Sequence, residues 1–213
     1  MSGAAPGYWD EKAAQVTFAH PLNLGWLVGL PKRARILDYG CGYGRVLAVL
    51  SDAGWRDGVG VDFSGGMIER GRREHPDLEL RTINSTRLDE QDGAFDAAFL
   101  FAVLTCIPGD ADQLAVMGEL KRLLAPGGWL YLSDYLLQDD ERSLARYRAG
   151  ETRHRVYGVW DRDDGAVFRH QTRAGLERLL AGFESIVERQ VETITFSGAP
   201  AIAIQVLARR AGG

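Results

Sequence analysis

The sequence predicts a three-layer α/β fold: a mostly parallel sheet with helices on both faces, an antiparallel pair at its end and an added β-hairpin. Three observations carry this expectation. Short apolar runs (ARIL at 34–37, VGV at 59–61, AFDAAFLF at 94–101) look like strands covered on both faces. Stretches of helical spacing separate them, the rhythm of parallel strands joined by crossover helices. The chain then closes with two β-rich runs, about 185–196 and 201–209, joined by Ser-Gly-Ala-Pro, a link short enough only for an antiparallel pair.

Composition narrows the function. With 213 residues the chain is long enough for one domain with a sizeable core and an inserted cap. The net charge is -4 with both signs mixed and no basic stripe, which argues against nucleic acid as a partner. Cys41 and Cys106 are too few for a disulfide framework and fit a reducing cytoplasm. The first residues lack a positive segment followed by an apolar run, and nowhere do eighteen apolar residues stand together, so neither export nor a membrane span is expected. No repeat or heptad pattern and no metal site is expected.

Taken in order, residues 1–7 are small, include a proline and are expected to be disordered. A helix from Tyr8, with Trp9, Ala13, Val16 and Phe18 as apolar positions, should end at Pro21, and a second short helix should reach about Leu30. The strand at 34–37 ends at Asp38, and Gly40, Gly42 and Gly44 allow a tight turn and close approach of backbone to a ligand before a helix over 45–53. A dinucleotide-binding fingerprint would want glycine at 45, where this chain has arginine. The second strand ends at Asp62, 22 residues after Gly40, with Ser64 as cap of the helix bearing Met67 and Ile68. An acidic residue there can accept from both hydroxyls of a ribose; the plainer reading, a turn or cap residue, is already served by Ser64.

A third strand at 78–82 leads into the polar turn Ile83-Asn84-Ser85-Thr86, itself good turn chemistry. After the strand at 94–101, Asp110 is expected to cap a helix ended by Pro126-Gly127-Gly128, before the strand WLYLSDY. A polar helix through Tyr147 should stop at a glycine. Residues 156–160 and 166–170 then read as an antiparallel hairpin about an Asp-Asp-Gly turn, and Thr172 caps a helix ending at Gly182-Phe183.

The run D-x-G-x-G-x-G from Asp38, the phrase FDAAFLF and the segment LKRLLAPGGWL resemble the class I S-adenosylmethionine (SAM)-dependent methyltransferases of the small-molecule type. The resemblance implies a single domain over 1–213 with a Rossmann-like methyltransferase fold. Its seven-stranded, mostly parallel sheet has an antiparallel last strand, residues 1–33 form an N-terminal helical cap, and 136–171 form a substrate-cap insertion. It implies SAM as cofactor and S-adenosylhomocysteine as product. Asp38, Gly40, Gly42 and Gly44 would pass beneath the methionine part, Asp62 would hold the ribose, and Phe63 and Met67 would flank adenine and ribose. Asn84, Ser85 and Thr86 would meet the adenine, with Asn84 where the family usually carries an aspartate. Tyr8 and Trp9 would close over the cofactor, although pinning the helix to the core is an equal reading. Phe101 and Thr105, with Ala102 and Cys106, would face the reaction zone, and Arg45 could pair with the cofactor carboxylate or with a surface acid.

The expected chemistry is in-line transfer of a methyl group to oxygen, nitrogen or carbon of a small molecule, which asks for positioning and, for an amine or hydroxyl, a base. His20 and His170 are the imidazole candidates and Tyr135 and Tyr157 the hydroxyl candidates, each with a structural reading beside it; His75 reads as a helix-end cap and His154 as solvated. A monomer or homodimer is expected. Two alternatives stay open: an enzyme of this fold using SAM for cyclisation or aminocarboxypropyl transfer, and a non-catalytic SAM- or dinucleotide-binding module.

Overall fold

The computed structural model describes residues 6–212. Five parallel strands come first: β1 (Ile36–Tyr39), β2 (Gly58–Asp62), β3 (Glu79–Thr82), β4 (Phe95–Phe101) and β5 (Leu124–Tyr135). A separate hairpin of β6 (Val159–Asp161) and β7 (Val167–Arg169) follows, and then β8 (Phe183–Ile194) and β9 (Pro200–Arg210) complete a seven-stranded sheet in the order β3-β2-β1-β4-β5-β9-β8. Strand β9 lies antiparallel to both neighbours, as the short Ser-Gly-Ala-Pro link requires. The order reverses between β1 and β4, so a crevice opens at the carboxyl ends of these two strands.

Alternation along the strands divides the core. Leu37, Val59, Leu100 and Leu132 face α4 (Asp110–Leu123) and α6 (Arg173–Leu179), which bring Val116, Leu120, Leu123 and Leu176. Ile36, Phe99 and Tyr131 face α2 (Arg45–Asp52) and α3 (Gly65–Glu74), which bring Leu47, Leu50 and Ile68. These are the three expected layers. Ser64 caps α3 by accepting from the Met67 amide at 3.1 Å, and Thr172 caps α6 by accepting from Gly175 at 2.9 Å.

Several local expectations are corrected. The expectation of disorder at 1–5 lies outside the described residues, and Pro6 and Gly7 belong to α1 (Pro6–Lys12). That helix stops well short of Pro21, so Val16 and Phe18 reach their places on irregular backbone. The second N-terminal helix is a single 3-10 turn, Leu24–Leu27, whose cap Asn23 accepts from Gly25. Asp110 does not cap α4; Gly109 holds that position, because the Asp110 carboxylate is taken by Arg169 at 2.6 Å. Strand β5 begins at Leu124, before the Pro-Gly-Gly, which it absorbs as a register shift against β4. The polar helix does not stop after Tyr147. As α5 (Glu141–His154) it runs through Gly150, where an added Cβ would lie 1.8 Å from the Val159 carbonyl, so the missing side chain lets β6 pack directly on the helix. Among the described residues no helix is long and apolar enough to cross a membrane.

Candidate active site

Two adjoining cavities sit at the crevice. The inner, of about 160 Å³, has as its floor the turn after β1. Gly40 and Gly42 line it with φ of 75° and 55°, values that favour glycine, and a Cβ on Gly40 would lie 2.4 Å from Val103. Gly44 (φ 82°) plays another part: it precedes α2, and its bare Cα makes room for Leu78 and Leu80 outside the cavity.

Two carboxylates enter this cavity from strand ends. Asp62 accepts from the Gly42 amide through Oδ2 and from the Ser64 amide through Oδ1, each at 2.8 Å; burial raises its pKa and these amides oppose the rise. Asp38 is buried with Oδ2 unpartnered, and burial pushes its pKa up to about 7 against the nearby Arg45 charge. Arg45 lines the same cavity while donating at 2.8 Å to the His20 carbonyl, so it anchors that segment rather than a surface acid. Phe63, Met67, Thr86 and Phe101 also line it, whereas Asn84 and Ser85 are exposed and lie outside it.

Trp9 and Phe18 cover the mouth, ring centroids 5.8 Å apart, with Phe18 stacked on Tyr43 at 5.7 Å. Tyr8 lines neither cavity. Its hydroxyl donates to Asp164 at 3.0 Å, and burial and that bond push its pKa up to about 12. Phe18 is thus a wall residue that sequence reasoning placed only on a helix face.

The outer cavity is far roomier, about 1250 Å³. Trp9, Phe18, His20, Ala102 and Cys106 line both spaces. Ala102 adopts φ 56°, a left-handed conformation that costs a residue with Cβ about 1–2 kcal/mol, and its amide donates to the Ser133 carbonyl at 2.7 Å. Thr105 lines only the outer cavity, and its amide and that of Tyr135 both donate to Asp134, whose pKa burial pushes up to about 7.

His20 is the best-placed imidazole. Nδ1 lies 2.9 Å from Ser133 Oγ, buried Nε2 has no partner, and burial together with Arg45 pushes its pKa down to about 4, which leaves the ring neutral at physiological pH. A clamp that sequence reasoning missed sets its position. Gln205 Oε1 accepts from Tyr131 and from two Arg189 donors, so its Nε2 faces the Pro21 carbonyl and Ser133 Oγ. A lone Gln and a Ser inside the apolar runs AIAIQVLA and WLYLSDY were the available signal.

Tyr135 and His170 line only the outer cavity. Their rings stack at 5.2 Å, and His20 meets Tyr135 edge-on at 4.6 Å, so three of the four base candidates form one arc. His170 Nδ1 lies 2.6 Å from the Tyr147 hydroxyl, and burial holds its pKa well below the ordinary value. Tyr157 lies behind the arc, packed on Tyr147 and lining neither cavity. His75 closes the end of α3, and His154, partly exposed, lies 2.9 Å through Nε2 from the Asp161 carboxylate. Among the described residues no group of three His, Cys, Asp or Glu could hold a metal.

Residues 11–184 match the methyltransferase-domain family, and the chain belongs to it. It is 31% identical over 182 residues to the 27-O-demethylrifamycin SV methyltransferase of Amycolatopsis mediterranei, covering 80% of this chain and 65% of that one. It is 32% identical over 146 residues to the ubiquinone biosynthesis O-methyltransferase of Paracidovorax citrulli, covering 62% and 58%. The chain therefore spans less than two thirds of the length of these curated relatives. Its fold matches the crystal structure of a SAM-dependent methyltransferase of Methanosarcina mazei with a TM-score of 0.85 at 22% identity, covering 91% of this chain and all of that one.

Proposed function

We propose that this chain transfers the methyl group of SAM to a nucleophile of a small molecule, with S-adenosylhomocysteine as product. A hydroxyl oxygen is the preferred acceptor, because the two relatives described above carry methylation at oxygen in their names; nitrogen and carbon are the alternatives. The observation that carries the reading is a glycine floor with two carboxylates, opening past a partnerless imidazole into a second, larger cavity.

The inner cavity suits the cofactor. The orphaned Asp38 Oδ2 answers an ammonium group, Arg45 a carboxylate and Asp62 a pair of ribose hydroxyls, while Phe63, Met67 and Thr86 border the space left for a base. When bound there, SAM supplies an electrophilic methyl on a sulfonium. The chain's own task is then to hold the acceptor in line and exclude water, which Trp9, Phe18 and Phe101 serve; alignment of this kind lowers a barrier by roughly 7–11 kcal/mol. His20 takes the acceptor's proton: with Nδ1–H donated to Ser133, Nε2 presents a lone pair to the boundary between the cavities. Tyr135 and His170 orient the acceptor in the outer cavity. The two free cysteines fit action in a reducing cytoplasm, within small-molecule metabolism.

Calorimetric titration with SAM and S-adenosylhomocysteine, followed by product analysis with hydroxylated acceptors, tests this. Binding of both and formation of S-adenosylhomocysteine are expected. Absence of binding heat would remove the reading, and methylthioadenosine as product would replace methyl transfer with another use of SAM.

A further inference from the structure

The outer cavity carries a guanidinium that has no ion-pair partner among the described residues. Arg146 projects from α5 with its guanidinium carbon 4.0 Å above the Trp160 ring, and its buried Nε has no partner. Among the described residues no carboxylate pairs with it, in contrast to Arg162 and Arg169, which are paired with Asp164 and Asp110. A guanidinium held over an indole and without an ion-pair partner can still offer its N–H groups to a planar, two-oxygen acceptor.

Its neighbours describe the rest of such a ligand. Trp160, Phe168 and Phe196 form a continuous aromatic wall, with successive rings tilted by 30° and 38° at 6.1 and 5.6 Å and the Arg162 guanidinium carbon 5.0 Å from the Phe196 ring centre, a lining that suits a flat aromatic system. Thr193 Oγ1 is buried in the same cavity without a partner. His170 has Nδ1 engaged by Tyr147, which leaves Nε2 for a ligand. The acidic side chains of this cavity form no ion pair with Arg146, although, behind the hydrogen bond from Ser143, its charge helps to hold the nearby Asp140 carboxyl below the ordinary value. Asp140 caps α5 through Ser143, Asp161 holds His154, Asp164 holds Tyr8 and Arg162, and Asp139, Asp163 and Glu192 are exposed at the rim, where water screens them.

We propose that the outer cavity receives a flat aromatic acid, its ring against Trp160, Phe168 and Phe196 and its carboxylate on Arg146. This rests on the methyltransferase reading and adds the class of acceptor: a hydroxylated aromatic carboxylate whose hydroxyl reaches the boundary at His20.

The test is a binding measurement by tryptophan fluorescence on the full chain saturated with S-adenosylhomocysteine, using 6-hydroxy-2-naphthoate and its uncharged analogue 6-hydroxy-2-naphthamide as probes. The naphthoate is expected to bind at least tenfold more tightly than the amide. In Arg146→Met, which keeps a stem over Trp160 and removes the charge, the two should bind within twofold of each other. Arg142→Met, which removes an exposed cation of the same cavity, should leave the preference unchanged, and circular dichroism checks that both variants fold. Equal affinities in the unsubstituted chain, no binding of either probe, or a preference that survives Arg146→Met would each overturn the proposal. S-adenosylhomocysteine affinity is measured separately: its failure would strike the methyltransferase reading, whereas its success with no discrimination between the probes would strike only the aromatic acid.

Discussion

The two cavities share a wall but are built in opposite ways. The inner one is made largely from the ends of β1, β2 and β4 and the turns that follow them, so its floor is backbone and its charged residues are Asp38, Asp62 and Arg45, with Asp112 from α4. The outer one is assembled mostly from side chains of α5, the β6–β7 hairpin and the β8–β9 turn, segments spread over more than fifty residues of the chain. The difference teaches where each kind of recognition resides. A ligand held by a turn and strand-end carboxylates would be written into a short motif, whereas an acceptor in the outer cavity would be chosen by side chains that no short motif contains.

The residue on the shared wall gives the sharpest way to break this division. His20→Gln keeps the backbone carbonyl that Arg45 grips but removes the free Nε2, and is expected to lower kcat about 10²–10⁴-fold while S-adenosylhomocysteine affinity by calorimetry stays within twofold. A fall in kcat below tenfold would send the proton elsewhere. Within the inner cavity, Asp62→Ala and Gly42→Val should each weaken SAM binding at least tenfold while the circular dichroism spectrum persists. The first loses the ribose acceptor, and the second meets Phe18 at 3.1 Å on a left-handed backbone. Unchanged affinity for Asp62→Ala would cancel the ribose assignment.

Asp38 adds a pH signature to the inner site. Its folded pKa, about 7, lies above the ordinary 3.8, so the free protein holds this proton where the unfolded chain has lost it, and the group's contribution to stability declines as pH rises from about 4 to 7. Asp38→Asn should therefore raise the melting temperature of the free protein more at pH 8 than at pH 5. An ammonium needs the ionised form, so SAM affinity should increase from pH 6 to pH 8 in the unsubstituted chain and stay flat and weak in Asp38→Asn. His20 has the opposite sign: its pKa is pushed down to about 4, so its contribution is lost as pH falls from 6.5 towards 4. The smallest effect is expected at the exposed polar turn, where Asn84→Ala should change SAM affinity less than threefold. A larger loss would show that this turn closes over the ligand.

Most of the fold was legible because local patterns and global topology agree: buried parallel strands leave continuous apolar runs, and the glycine corner and Asp62 fall where those runs end. The N-terminal segment was not legible, since Val16 and Phe18 fill core and lid positions without helical backbone to make them periodic. Gly150 misled because glycine ordinarily ends a helix, and only the approach of Val159 shows why it sits inside α5. Asp38 and Asp62 stood out at the strand ends beside the glycine turn, and His20 stood out on the loop after the first helix with a structural reading beside it; all three line the inner cavity. Arg146 and the Ser133–Gln205 clamp were not, because each acquires meaning only from partners far away in the chain.

Strand β9 supplies Gln205, which faces Ser133 across the β5 pairing and reaches the Pro21 carbonyl 184 residues away, while Ile204 and Val206 point into the leucine-rich layer on the opposite face. A slip of β9 by one residue would exchange these two sets, dropping an amide among leucines and leaving the imidazole with no brace. The orientation of the His20 ring thus depends on how one late strand slots into place, and if that ring is the base proposed above, a slipped isomer would be both poorly packed and chemically silent.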